Sequence, residues 1–296
     1  MVVTATHHGI IVAVDGSPAS KVAVDWAARD AAIRREPLTL VHVLPAPLIT
    51  MWPEPPRSRA RIREHHEQHG HQIIGDAVKV AEQSGTSDSV RVEHQMLSGN
   101  TLSTLIDLSK DAAMVVVGCR GRNAADRPIL GSIPTGLIRH AHCPVAIVHD
   151  EVRSIVDSTK APVLVGVDGS SASDQATAIA FDEASRREVG LIAMHSWGAY
   201  GPYQVASIDW KQQLSQGKAA LAEHLAAWEQ RYSHVAVERR LVYGEPAYQL
   251  LEASETAQLT VVGSHGRGGF AGMLLGSVSS AVVQAVRTPV IVAREQ

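Results

Sequence analysis

The residues Ile11-Val-Ala-Val-Asp-Gly-Ser-Pro-Ala-Ser20 return later in the chain as Leu164-Val-Gly-Val-Asp-Gly-Ser-Ser-Ala-Ser173, with seven of the ten positions identical. The offset, from Asp15 to Asp168, is 153, and the strand-end histidines His42 and His195 keep it. Further on, Gly118 and Gly263, Gly131 and Gly276, and Pro144 and Pro289 repeat at 145. The eight-residue difference falls between about Pro45 and Ser89. A period near 150 is too long for a solenoid unit and marks a duplicated domain. Residues 1–150 form the first copy, the polar stretch 151–162 reads as a linker, and residues 163–296 form the second.

Within each copy, short aliphatic runs alternate with amphipathic ones. In the first, strands are predicted near 10–14, 38–43, 90–96, 114–117 and 145–148, with helices near 19–35, 61–83, 101–110 and 135–141. The second has strands near 163–167, 191–195, 235–242, 259–262 and 290–292. Strands that are apolar throughout and separated by helices predict an α/β fold: a doubly wound parallel sheet covered on both faces. Such sheets bind ligands beyond the carboxyl ends of their strands, where the strand order reverses.

Asp15 and Asp168 stand at the end of each first strand, followed by Gly-Ser. Helix capping explains this turn as well as ligand binding does. The loop after each fourth strand is more telling. It reads Gly118-x2-Gly121-x9-Gly131-Ser132 in the first copy and Gly263-x2-Gly266-x9-Gly276-Ser277 in the second. Glycines admit close approach of a ligand to the backbone. Gly-Ser opening a helix offers unpaired N–H groups at the positive end of the helix dipole, an anion cradle without a lysine. No Gly-x4-Gly-Lys-[Ser/Thr] loop occurs, and Gly266-Arg-Gly-Gly-Phe-Ala271 fits the dinucleotide pattern only loosely, after the wrong strand.

Together these motifs resemble the universal stress protein family, as two copies covering nearly the whole chain. The resemblance implies strand order 3-2-1-4-5 and ATP at the strand ends, with Mg2+ as an optional companion. By position, Asp15 and Asp168 would sit near the ribose, and Val43 and Ser196 would offer backbone contacts to adenine. Gly118, Gly121, Gly131, Ser132 and Thr135 would line ribose and phosphates, as would Gly263, Gly266, Gly276, Ser277 and Ser280. Arg122 and Arg267 either reach phosphate oxygens or lie solvated. Asp126 and Pro134 depart from the second copy and alter the first cradle. The layout is similar to tandem members linked to stress and dormancy in mycobacteria. It implies a nucleotide-dependent regulator of that response, the alternative being a slow ATPase or self-phosphorylating protein. The resemblance further implies halves paired through their last strands, a homodimer and protein partners.

Composition agrees with a globular protein: 45% hydrophobic and 19% charged residues, with a net charge of −3. That balance gives no electrostatic reason to bind nucleic acid or an anionic membrane. The opening Met1–Gly9 lacks the pattern of a signal peptide, and two cysteines suit a reducing compartment, so the expected location is cytoplasmic. His65, His66, His69 and His71 do not form His-Glu-x-x-His and read as a solvated helix face. Cys119 lies in the first loop, but its counterpart is Ser264, so no function shared by both copies rests on it. Cys143 reads as buried packing.

Overall fold

The structure is a computed structural model and describes residues 8–45, 56–86, 90–121, 130–149, 160–197, 210–266 and 275–294. Two compact units, Met1–Asp150 and Glu151–Gln296, divide the chain. Arg122, Asp126, Arg267 and the linker from 151 to 159 lie outside the described residues.

The first unit runs β1 (Ile10–Ala13), α1 (Pro18–Arg34), β2 (Leu38–Pro45), α2 (Pro56–Ala81), β3 (Val92–Gly99), α3 (Thr101–Leu108), β4 (Met114–Gly118), α4 (Ser132–His140) and β5 (Val145–Val148). The second runs β6 (Val163–Gly166), α5 (Ser171–Arg186), β7 (Leu191–Trp197), α6 (Trp210–Arg231), β8 (Val237–Tyr243), α7 (Pro246–Ser254), β9 (Leu259–Gly263), α8 (Ser277–Ala285) and β10 (Val290–Ala293). The first sheet has order β3-β2-β1-β4-β5 and the second β8-β7-β6-β9-β10. Every pairing within them is parallel.

Aliphatic side chains on both faces of the central strands make the core: Ile10, Ile11, Val12, Val115 and Val116 are fully buried, as are Val163, Leu164, Val165 and Val261. In α1 a stripe of Ala19, Ala23, Ala27 and Ala31 is buried, and in α5 the stripe is Ala172, Ala176, Ala180 and Ala184. Small side chains every fourth residue let each helix lie close on its sheet. In the second unit Phe181 of α5 stacks on Trp228 of α6 and on Tyr232 in the turn after it, with ring centroids 6.2 and 5.7 Å apart.

The edge strands differ from expectation at their starts. β3 begins at Val92 and β8 at Val237, each two residues later than predicted. Val90 and Val235 are buried but precede the ladder. Val235 instead donates its N–H to Tyr232 O in the turn closing α6. An apolar pin ahead of a strand is indistinguishable from the strand's first residue by hydrophobic pattern alone. No helix among the described residues is long and apolar enough to cross a membrane.

Candidate functional site

The end of β1 is built around a tight turn. Asp15 Oδ1 accepts the Ser17 N–H at 2.9 Å, and Gly16 between them has φ +80°. In the second unit Asp168 Oδ1 accepts from both Ser170 N (2.9 Å) and Ser170 Oγ (2.6 Å), around Gly169 at φ +76°. Glycine is required here because left-handed backbone is costly for other residues. Both serines cap the following helix: Ser17 Oγ accepts Ser20 N at 3.1 Å and Ser170 Oγ accepts Ser173 N at 3.2 Å. The capping explanation for this turn is therefore correct for the serines. The second carboxylate oxygen of each aspartate points elsewhere.

That oxygen faces the second loop. A Cβ on Gly121 would stand 2.9 Å from Asp15 Oδ2, and one on Gly266 would collide with Asp168 Oδ2. The same serines reach across, Ser17 Oγ to Arg120 O at 3.5 Å and Ser170 Oγ to His265 O at 3.4 Å. The two loops of each unit are thus drawn together at equivalent points, as the duplicated motifs require. Gly118 and Gly263 serve another purpose. A Cβ there would lie 2.7 Å from the Ala19 carbonyl carbon and 2.8 Å from that of Ala172. These glycines let the first turn of α1 and α5 settle on the end of β4 and β9, a packing role.

The third glycine of each loop leads a helix. Gly131 and Gly276 are the N-cap residues of α4 and α8, and neither helix has a side-chain cap. By contrast α1, α3, α5 and α7 are capped by Ser17, Asn100, Ser170 and Glu245. The first turn of an α-helix leaves its N–H groups without intrahelical partners. In α4 those are Ser132 and Ile133, since Pro134 has none and Thr135 N bonds Gly131 O at 3.1 Å. In α8 they are Ser277, Val278 and Ser279, with Ser280 N on Gly276 O at 2.9 Å. Pro134 therefore removes one donor from the first cradle, as expected. Hydroxyls are partly committed: Thr135 Oγ1 donates to Gly131 O (2.8 Å), Ser279 Oγ to Gly263 O (2.5 Å), and Ser280 Oγ accepts from Gln284 (3.0 Å). Ser132 and Ser277 are exposed.

β2 outruns β1 by four residues, because β1 ends at Ala13 opposite Val41. Val41 O accepts from Val14 N at 2.9 Å, so Val41 directs its backbone groups toward β1. Backbone direction alternates along a strand, so Val43 faces the same side, where β1 has ended. A continued ladder would bring the Val43 N–H to Val14 O. His42 takes that acceptor instead, donating Nδ1–H to Val14 O at 2.7 Å. The second unit repeats this: Met194 O accepts Val167 N (2.8 Å) and His195 Nδ1 donates to Val167 O (2.6 Å), which leaves the Ser196 N–H beyond β6. The Ser196 side chain turns away, donating to Gly244 O at 2.6 Å. The histidines were visible in the sequence as a repeated position. Their role was not, because a carbonyl partner leaves no mark on side-chain identity.

His65, His66 and His71 are exposed, His71 Nδ1 lies 2.7 Å from Glu67 O, and no described residues form a group of three metal-ligating side chains. Cys119 and Cys143 are both buried and form no disulfide.

Each unit is therefore a doubly wound α/β domain with an open backbone edge, a held carboxylate and an uncapped helix start at the carboxyl ends of its strands. The chain belongs to the universal stress protein family, whose sequence pattern matches residues 7–149 and again 161–294. A universal stress protein of Mycobacterium tuberculosis is 51% identical over 288 residues, covering 97% of this chain and 96% of that one. One from Mycolicibacterium smegmatis is 48% identical over 295 residues, covering 99% of each. The crystal structure of a universal stress protein from Archaeoglobus fulgidus aligns with a TM-score of 0.72 at 19% identity, over 98% of this chain and 100% of that one. That likeness concerns the fold.

Proposed function

We propose that each unit binds one adenine nucleotide, with ATP as the ligand, and that the protein acts as a nucleotide-dependent regulator in the stress response. The observation that carries this reading is the pair of uncapped helix starts. Among the α-helices with a described N-terminus, α4 and α8 lack the side-chain cap that the others have, and each opens with Gly-Ser behind a loop held by an aspartate. Unpaired N–H groups at a helix start suit phosphate oxygens. The open amide edge at Val43 or Ser196 suits the donor and acceptor rim of adenine. Asp15 or Asp168 suits ribose hydroxyls, since a carboxylate against phosphates is repulsive without a cation. Arg122 and Arg267 would add charge on the phosphates, with Mg2+ as an optional companion.

The proposed action is binding rather than turnover. Efficient phosphoryl transfer uses a cation on the leaving phosphate, carboxylates holding metal and a group that positions the nucleophile. Each loop and its helix start offer glycines, small hydroxyls and one arginine, Arg122 or Arg267, with a single nearby carboxylate, which is binding equipment with little catalytic equipment. A slower second activity, self-phosphorylation, has one specific support: Ser132 and Ser277 are exposed at the first helical position of α4 and α8. A cytoplasmic location and association into a homodimer with further protein partners complete the proposal.

Mass spectrometry of ligand released from freshly purified protein, followed by calorimetric titration, tests it. Adenine nucleotide in the released fraction and two ATP sites per chain are expected. An absence of ATP binding at millimolar concentration sinks the reading. Sustained phosphate release at about 1 s⁻¹ or faster would place the protein among ordinary enzymes.

A further inference from the structure

The two crevices carry the same backbone frame but different walls. Leu44, one residue beyond Val43, pairs in register with Ser98 on β3. The equivalent pair in the second unit, one residue beyond Ser196, is Trp197 and Tyr243. Aromatic residues are scarce here, with five Trp, five Tyr and two Phe in 296 residues. Two of them replacing an aliphatic and a small polar residue at matched positions is a difference specific to the second unit.

The surroundings differ accordingly. Leu44 is 9% exposed and turned onto α2, with its Cδ2 3.1 Å from where a Cβ on Gly70 would stand. Gly217, the corresponding glycine of α6, has Leu241 for all three of its nearest atoms. Trp197 remains partly exposed and Tyr243 is 48% exposed. Their rings meet edge to face, with centroids 5.4 Å apart and planes at 72°. An edge-to-face pair fixes the orientation of both rings. It stands at the carboxyl ends of β7 and β8, one residue beyond Ser196.

Resting on the nucleotide reading above, we infer that the second crevice grips the ligand's heteroaromatic base against the Trp197–Tyr243 pair, whereas the first does not. The two sites are then unequal. The second is the tighter and selects for a base, and the first, where Leu44 and Ser98 stand at these positions, depends mainly on phosphate and ribose contacts. Aromatic stacking on a base is worth enough to separate the sites by about tenfold in affinity.

Calorimetric titration of the full chain with ATP, and separately with inorganic tripolyphosphate, tests this. Wild type should show two ATP affinity classes about tenfold apart. The variant Trp197→Leu with Tyr243→Ser, which gives the second unit the first unit's residues, should merge them by weakening the tighter class. Trp197→Phe with Tyr243→Phe should retain both classes, and tripolyphosphate should bind all three proteins alike. Tyr243→Ser alone, at an exposed side chain, keeps the comparison available if the double variant folds poorly. Equal ATP classes in wild type, unchanged ATP affinity in the variants, or an equal loss for tripolyphosphate each overturns the inference. Wild-type protein that binds no ATP at all overturns the nucleotide reading with it.

Discussion

Asp15 Oδ2 occupies the space that a side chain on Gly121 would need, 2.9 Å from the position of its Cβ. The same relationship joins Asp168 to Gly266, where the approach is closer still. Two loops separated by about a hundred residues are therefore fitted to each other through a carboxylate and a missing side chain. The aspartate's first oxygen is engaged by its own turn. Its second is aimed at the loop that leads to the uncapped helix.

Substituting Gly121→Ala or Gly266→Ala should push the carboxylate aside rather than shift the backbone, since the carboxylate is the movable end of a short side chain. ATP affinity in the altered unit should fall by about tenfold or more, while Tm changes by only a few degrees. Gly266→Ala should be the more damaging of the two. Calorimetry reporting one remaining site per chain, beside a nearly unchanged melting curve, is the expected result.

Gly118→Ala and Gly263→Ala should behave in the opposite way. Their added methyl meets backbone atoms of Ala19 and Ala172, which cannot move without lifting a helix from the sheet. Overpacking of this kind costs about 1–3 kcal/mol, so urea midpoints should drop clearly. Ligand affinity should fall only as far as stability does. A loss of ATP binding with an unchanged urea midpoint would return these glycines to the ligand cradle.

What the sequence made legible follows from its duplication. Strand positions, the Asp15 and Asp168 turns and the Gly-Ser helix starts were each seen twice, so chance matches cancelled. Gly70 and Gly217 escaped notice because they lie 147 residues apart, an offset between the two that mark the repeat, within helices of unequal setting. The packing of Gly118 against α1 was not legible, because a glycine after a strand looks the same whether a phosphate or a neighbouring helix approaches it. Val90 and Val235 were read as strand because burial and pairing are separate properties that share one hydrophobic signal.

Two charged residues also hide in helices that read as ordinary amphipathic segments. Asp30 of α1 and Glu183 of α5, equivalent by the 153-residue offset, have fully buried side chains, with Arg34 Nε and Arg187 Nε at 2.8 and 2.9 Å. Removing one partner of a buried pair leaves the other charge uncompensated, at a cost of about 3–5 kcal/mol. Asp30→Ala and Glu183→Ala should each destabilise by that amount in chemical denaturation. Asp25→Ala, which breaks an exposed pair with Arg29, should cost less than about 1 kcal/mol.

Burial pushes the Cys143 thiol from an ordinary 9.0 up to about 12. Folding therefore holds the proton that the unfolded chain gives up near pH 9. The associated stability is present below pH 9 and is lost progressively as pH rises toward 12. Cys143→Ala should flatten the decline in stability over that range. At pH 8 the folded wild type should resist alkylation at Cys143, and rapid modification there would show the site to be open.

The histidines offer the most direct test of how the base edge stays open. His42 Nδ1 and His195 Nδ1 occupy the carbonyls of Val14 and Val167, the acceptors that a longer β1 or β6 would present to the Val43 and Ser196 N–H groups. Removing the imidazole frees each acceptor for the neighbouring amide, and the ladder can close by one hydrogen bond. The Val43 or Ser196 N–H is then no longer available to adenine. The lost and gained hydrogen bonds nearly offset, each being worth about 1 kcal/mol, so His42→Ala and His195→Ala should leave stability within about 1–2 kcal/mol of wild type. ATP affinity in the altered unit should nevertheless fall severalfold, with slower exchange of the Val43 or Ser196 amide proton. Faster exchange of that proton, or unchanged affinity, would show that the histidines only brace the turn.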